Sequence, residues 1–276
     1  MMQKIEAAGV RALVYTGTLF TVAILLGVVG YILIKGIPNL SLNLFAWEYS
    51  TENVSLMPAL INTILMTLLS LIFAAPLGIF AAIYLAEYAK RGNKLVKLIR
   101  ITSETLSGIP SIIYGLFGLL FFVTALGLGM SLLAGALTLS IMILPLIMRT
   151  TEEALIAVPI EYREGSFGLG AGRLRTVFKV VMPSAIPGIL AGIILATGRI
   201  VGETAALIYT AGTVAKVPDN LLDSTRTLSV HMYSLASEGL YTDQAYATAA
   251  VLLVIVVGIN ALSVYIVKRI AGRSYG

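Results

Sequence analysis

Residues 57–85 read MPALINTILMTLLSLIFAAPLGIFAAIYL and contain no charged side chain. As a helix this stretch would rise about 43 Å, whereas the hydrocarbon core of a bilayer needs only about 30 Å. It is therefore long enough to span, and Pro76 and Gly78 within it predict a kink. Working outward, further apolar stretches of spanning length run from about Ala12 to Ile34, Ile109 to Leu128, Ser131 to Met148, Ala185 to Ala211 and Ala245 to Val267. The first is too long, and lacks the small-residue cleavage site, for a signal peptide. Gly127-Leu128-Gly129 predicts a very tight turn between the third and fourth spans. The fold class is all-α: a polytopic membrane helical bundle of about six transmembrane helices.

Composition agrees. Of 276 residues 58% are apolar and 12% charged, with a mean hydropathy of +0.94. Soluble domains are typically about 45–50% apolar and about 25% charged, so lipid must solvate much of this surface. No cysteine is present, which removes disulfides, thiolate metal sites and thiol catalysis, and the single histidine argues against a histidine metal site. The net charge of +5 is the signature of basic cytoplasmic loops rather than of nucleic acid binding.

The loops give the orientation. Lys4 and Arg11 precede span one; Lys90, Arg91, Lys94, Lys97 and Arg100 follow span two. Arg149, Arg163, Arg173, Arg175 and Lys179 follow span four, and Lys268, Arg269 and Arg273 follow span six. The opposite side holds only Lys35, Lys216 and Arg226, which is 15 cations against 3, with Arg199 left inside span five. Both termini are therefore expected in the cytoplasm (N-in/C-in). The chain divides into a cytoplasmic segment, residues 1–11, and one transmembrane domain, residues 12–276. That domain has a cytoplasmic loop at about 150–182 and an external loop at about 213–244. In the external connections, Trp47 and Tyr49 suit an interfacial position, and Leu228, Met232 and Leu235 have the spacing of a short surface helix.

The cytoplasmic loop reads TTEEALIAVPIEYREGSFGLGAGRLRTVFKVVM from Thr150 to Met182, followed by Pro183. Pro159 permits a helix from Ile160, with Glu161 and Glu164 near its positive N-terminal end. Gly165, Gly168, Gly170 and Gly172 allow a sharp bend. Leu174, Val177, Phe178 and Val181 then form a helical apolar stripe. Two short helices at an angle, projecting as a knob, are predicted, and a protein-docking knob is the better physical reading of them. A phosphate-cradling loop needs a preceding strand and a GxGxxG or GxxxxGK[ST] arrangement, and neither is present.

This loop resembles that of the permease subunits of bacterial ABC importers. These carry an EAA segment, three residues, a glycine, nine residues and then I-x-L-P. Here Glu164-Gly165-Ser166 stands at the EAA position, Gly170 at the glycine, and Val180, Met182 and Pro183 at the I, L and P. The spacing needs no gap, but two alanines are replaced by Gly and Ser, and Gly in a helix costs about 1 kcal/mol relative to Ala. Residues 107–118, SGIPSIIYGLFG, and 198–205, GRIVGETA, are similar to segments of the PstA family of phosphate-importer permeases, with the sister PstC family as the alternative. The resemblance covers roughly residues 57–267.

It implies a type I importer permease that binds no cofactor itself, with ATP and Mg on a partner ATPase docked through Glu161, Glu164, Gly165, Gly168, Gly170 and Pro183. The implied partners are a second permease subunit (PstC-like), an ATPase dimer (PstB-like) and an external phosphate-binding protein (PstS-like), in a lipid membrane and without nucleic acid. Arg149, which heads an Arg-Thr-Thr-Glu segment, is by resemblance implicated in transport. Otherwise it reads as an interfacial anchor that snorkels.

Span five bears on the path directly. A charge at mid-membrane costs about 2.5–3.5 kcal/mol on insertion scales and normally meets a partner or a watery cavity. Arg199 and Glu203 stand one helical turn apart on the same face and could pair, lowering that cost while the path is empty. A phosphate ion could compete for Arg199, whose guanidinium matches oxyanions bidentately, with Thr197 and Thr204 nearby. The alternative is a purely structural ion pair. Pro110 and Pro145 read as kinks, and Gly115 and Gly118 as close-packing positions. A permease for another oxyanion and an ion-coupled transporter or channel remain open at this point. No metal cluster or Ser/His constellation supports an intramembrane enzyme.

Overall fold

The computed structural model describes residues 2–90 and 92–273. Arg91, and the side chains of Lys4, Lys268 and Arg273, all counted in the charge asymmetry, lie outside the described residues. The regular structure of the described residues is all helical, with no strand. Five helices are long and apolar enough to cross a membrane, or six if one bent pair forms a single span.

Helix α1 (Met2–Gly36) stands apart, its apolar window entirely unburied, and packs along the last helix, α11 (Thr242–Arg273). Helix α2 (Met57–Ile83) continues into a π-helical turn, Tyr84–Tyr88. Pro76 sits inside it without ending it. Helix α5 (Leu132–Ile156) is the centre of the bundle: 67% of its apolar window is buried, mainly against α2 and α8 (Met182–Val201). Leu139, Ile143 and Ile147 of α5 fill this core together with Met66 and Ala74 of α2 and Ala196 and Ile200 of α8.

Three segments differ from the sequence expectation. The third span is not a simple crossing. An amphipathic helix, α3 (Lys94–Ser107), precedes α4 (Ser111–Gly118), which runs on through a π-helical stretch to Ala125, and the two meet at 101°. Asn93 caps α3 through its side chain, accepting from the Leu95 N–H at 2.9 Å, and Gly108-Ile109-Pro110 ends it. The Tyr114 hydroxyl donates to the Leu106 carbonyl across the bend at 2.8 Å, satisfying a helix-end acceptor. Composition hid α3, because its Lys94, Lys97 and Arg100 exclude it from any apolar window.

The second half of the cytoplasmic knob is not a separate helix. Helix α6 (Ile160–Gly168) ends in a turn at Gly170, whose φ of +81° lies in the left-handed region that favours glycine. The chain then enters α7 (Arg173–Thr176), passes a π-helical turn at Val177–Val181, and becomes α8 without a break. Val177 and Val181 are buried, whereas Leu174 is 66% exposed.

The fifth span is broken. Helix α8 stops at Val201, Gly202 takes the C-cap, and a six-residue helix, α9 (Ala205–Thr210), follows. The run 185–211 looks continuous because Arg199 and Glu203 are its only charges. The break arises where Glu203 folds back, its Oε1 accepting the Ala206 N–H at 3.1 Å and so satisfying an orphan donor of α9. Polar side chains that bond to nearby backbone compete in this way with helix continuation. Helix α9 lies against α4 at Gly115 and Gly118. A Cβ on Gly115 would stand 2.8 Å from the Ala206 Cα, and one on Gly118 would strike Thr138 and Thr210. The external helix expected near Leu228 is α10 (Leu228–Glu238), with Leu228 and Leu235 buried.

Candidate functional site

At the cytoplasmic end, α6 is fixed to the bundle by Arg163. Its Nη2 and Nε reach Glu87 Oε1 at 2.6 and 3.1 Å, in the π-helical turn after α2. Nη1 donates to the Val158 carbonyl and Nη2 to that of Leu155, each at 2.8 Å, at the end of α5. Both charged side chains are nearly buried, 12% and 8% exposed. One guanidinium thus ties the knob to two spans at once and satisfies carbonyls that a helix end leaves open.

A separate pair ties α3 to α5, Arg100 donating to Glu152 from Nε at 2.9 Å, and the Arg173 guanidinium lies over Tyr88 at 5.4 Å. Ser166 and Thr176 hydroxyls, 2.8 Å apart, close the turn between α6 and α7. Sequence reading counted Arg163 only as a loop cation. Its partner Glu87 lies 76 positions away, so no spacing signal connected them.

Glu161, Glu164, Gly165, Gly168 and Gly170 all lie on the exposed surface of this knob, and Pro183 is exposed in the first turn of α8. Between α3 and α6 opens a cavity of about 1210 Å³, bordered by Lys94, Lys97, Glu104, Arg163, Glu164 and Phe167. Ile160, Tyr162, Phe167 and Leu169 leave large apolar surface open around it. Apolar patches rimmed by charge are the pattern of a protein interface.

The residues expected on the path fall in two places. Arg149 is exposed near the inner end of α5, where Nε donates to Glu153 at 2.9 Å and Nη1 lies 3.8 Å from Glu104 of α3. Arg199 is half-buried near the outer end of α8. Gly192 packs against Thr150, and Arg199 is seven residues further, so it sits roughly 10 Å beyond the level of Arg149.

The expected pairing of Arg199 with Glu203 is corrected. The helix ends between them, Glu203 turns to α9, and Arg199 forms no ion pair among the described residues. The charge of Arg199 instead lies within electrostatic reach of the Tyr114 hydroxyl. Thr204 occupies the N-cap position of α9 without a side-chain cap bond. Thr197 lines a lateral groove of about 330 Å³ between α2, α8 and α11, together with Thr63 and Thr67. No cluster of three or more potential metal-ligating His, Cys, Asp or Glu residues occurs among the described residues.

Glu203 is joined to the external cap by a second bond: the Ser229 hydroxyl of α10 donates to its carbonyl at 2.6 Å. That cap is built on polar bonds from α2. Asn62 Nδ2 donates to the carbonyls of Lys216 and Arg226, and Thr63 Oγ1 accepts the Leu228 N–H at 2.8 Å.

Comparison with known proteins gives this geometry a family. Residues 74–273 match the binding-protein-dependent transport system inner membrane component. A probable ABC transporter permease protein of Bacillus subtilis, YqgI, is 37% identical over 256 residues, covering 86% of this chain and 87% of that protein. The phosphate transport system permease protein PstA of Xylella fastidiosa is 34% identical, covering 80% of this chain and 78% of that one.

Among solved structures, the inward-facing MetNI methionine ABC transporter matches at 21% identity and a TM-score of 0.60, over 77% of this chain and 93% of that one. A bacterial alginate ABC transporter in complex with its alginate-bound periplasmic protein matches at 17% and 0.62, over 93% and 96%. These two likenesses establish the fold, that of a type I ABC importer permease. The chain belongs to the family of binding-protein-dependent transport system inner membrane components, as a multi-pass permease subunit.

Proposed function

We propose that this chain is one of two permease subunits of an ATP-driven importer of inorganic phosphate. It forms half of the path and performs no bond chemistry; a partner ATPase dimer carries ATP and Mg. The observation that carries the docking half of this reading is Arg163, which makes the exposed α6 knob and the ends of α2 and α5 one mechanical piece. A force applied to α6 is then delivered to the central bundle.

The substrate half rests on Arg199. An unpaired guanidinium at a helix break inside a span is costly unless an anion visits it, and guanidinium suits the oxygens of phosphate. Relatives named as phosphate permeases favour that anion. A second permease subunit, two ATPase subunits and an external phosphate-binding protein complete the assembly.

The test is uptake by the whole complex in proteoliposomes. ATP-dependent accumulation of radiolabelled phosphate, undiminished by excess sulfate or molybdate, is expected. Sulfate or molybdate outcompeting phosphate would overturn the substrate, and transport without any ATPase subunit would overturn the class.

A further inference from the structure

The external cap holds a buried cation that nothing in the described chain neutralises. Arg226 is 6% exposed, and its Nε and Nη2 are shut off from solvent without an acceptor. None of the ion pairs among the described residues includes it. Its guanidinium carbon lies 4.7 Å from the centre of the Tyr49 ring. A cation–π contact returns only about 2 kcal/mol, against a desolvation cost of several kcal/mol for a buried ion.

Beside it stands His231, fully buried, in edge contact with the same ring at 6.0 Å and 89°. The carbonyl side of Val54 approaches the imidazole, yet neither ring nitrogen makes a hydrogen bond of good geometry. Burial first, and then the Arg226 charge, push its pKa down to about 3, so the ring is neutral and offers one N–H donor.

Val54 itself has a φ of +46°, the only non-glycine positive φ among the described residues, and it is β-branched and buried. Such strain persists only where surroundings impose it, and it marks functional segments. An unpaired guanidinium, a buried neutral histidine and a strained valine therefore meet in one cap. Ser229, three residues after Arg226, bonds the carbonyl of Glu203 directly inward.

We propose that Arg226, with the N–H of His231, is an oxyanion-accepting site of the outer gate, taking a tetrahedral anion such as phosphate on its way to Arg199. This inference rests on the oxyanion-permease reading above. The cap holds the site closed over the α8–α9 break. When the cap opens outward, the orphan donors of Arg226 acquire the acceptor they lack, and the anion is passed inward.

The experiment uses the complete transporter in proteoliposomes with phosphate-loaded binding protein. Arg226→Met keeps an unbranched apolar stem and removes the charge and the planar fork; Arg226→Lys keeps the charge but not the fork. At saturating binding protein, Arg226→Met should lower the uptake rate about tenfold or more, with Arg226→Lys intermediate, while assembly and basal ATP hydrolysis stay at the parent level. The affinity of the complex for binding protein should not change.

Parent-like uptake by Arg226→Met would overturn the site. So would a loss rescued by raising the binding-protein concentration, which would assign Arg226 to partner docking. Failure of the underlying reading is separate: the parent complex itself would then import no phosphate.

Discussion

Two buried arginines, one at each end of the bundle, have opposite fates. Arg163 at the inner end is bonded to a carboxylate and two carbonyls within one chain. Arg226 at the outer end has only an aromatic face. The first is a finished joint, complete in this conformation. The second is unfinished and awaits a partner this chain does not supply. Desolvation costs are of similar size at both, so the difference lies in compensation. A joint that must transmit force needs a single geometry, whereas a gate that must open gains from a closed state with unmet bonds.

The largest effect is expected from breaking the finished joint. Glu87→Ala leaves Arg163 buried without its carboxylate, which costs about 3–5 kcal/mol for a buried pair. A clear loss of thermal stability of the purified complex should follow, with ATP hydrolysis uncoupled from uptake. An unshifted melting temperature with normal uptake would show the joint to be dispensable. Next in size, Arg199→Gln should reduce phosphate uptake about tenfold, equivalent to about 1.4 kcal/mol, without altering assembly. Full activity would reduce Arg199 to a packing residue.

Gly170→Ala probes the turn of the knob. At φ +81° a Cβ costs about 1–2 kcal/mol, so co-purification of the ATPase subunit should weaken while the chain still inserts. Unchanged co-purification would remove Gly170 from the docking element.

The smallest effect is at the outer end and depends on pH. The folded pKa of His231 is depressed to about 3, from an ordinary 6.5. Between those values the unfolded cap binds a proton that the folded cap refuses, so stability rises with pH and falls on acidification below about 6.5. The slope from this one group is at most about 1.4 kcal/mol per pH unit. Arg226 and Tyr49 are the charged and titratable groups facing it. His231→Gln should flatten the decline in melting temperature between pH 6.5 and 5. An unaltered slope would show that His231 is already protonated or free to open.

The number of spans was legible because apolar length is a summed property, insensitive to detail. The α6 helix was legible because its signals are local, Pro159 before it and the glycines that end it. What escaped were long-range pairings and helix breaks. Arg163 and Glu87 are 76 positions apart, and periodicity carries no such distance. The 201–205 break hides in an apolar run, since one carboxylate bond to the Ala206 N–H decides it. For the same reason the predicted Arg199–Glu203 pair fails: four residues bring side chains together only while the helix continues. The α3 helix was missed for its charge, although its Asn93 cap stood in plain view.

The central claim is that the α6 knob receives the ATPase subunit. The chain has no cysteine, so a single one can be introduced without background. With Phe167→Cys on the exposed face of α6, a short bifunctional thiol reagent should link this chain to an ATPase subunit carrying one cysteine in its surface groove. The yield should change when ATP is bound. A cysteine at Leu240, 79% exposed on the external side, should give no product. An assembled, ATP-hydrolysing complex in which Phe167→Cys never cross-links would contradict the account.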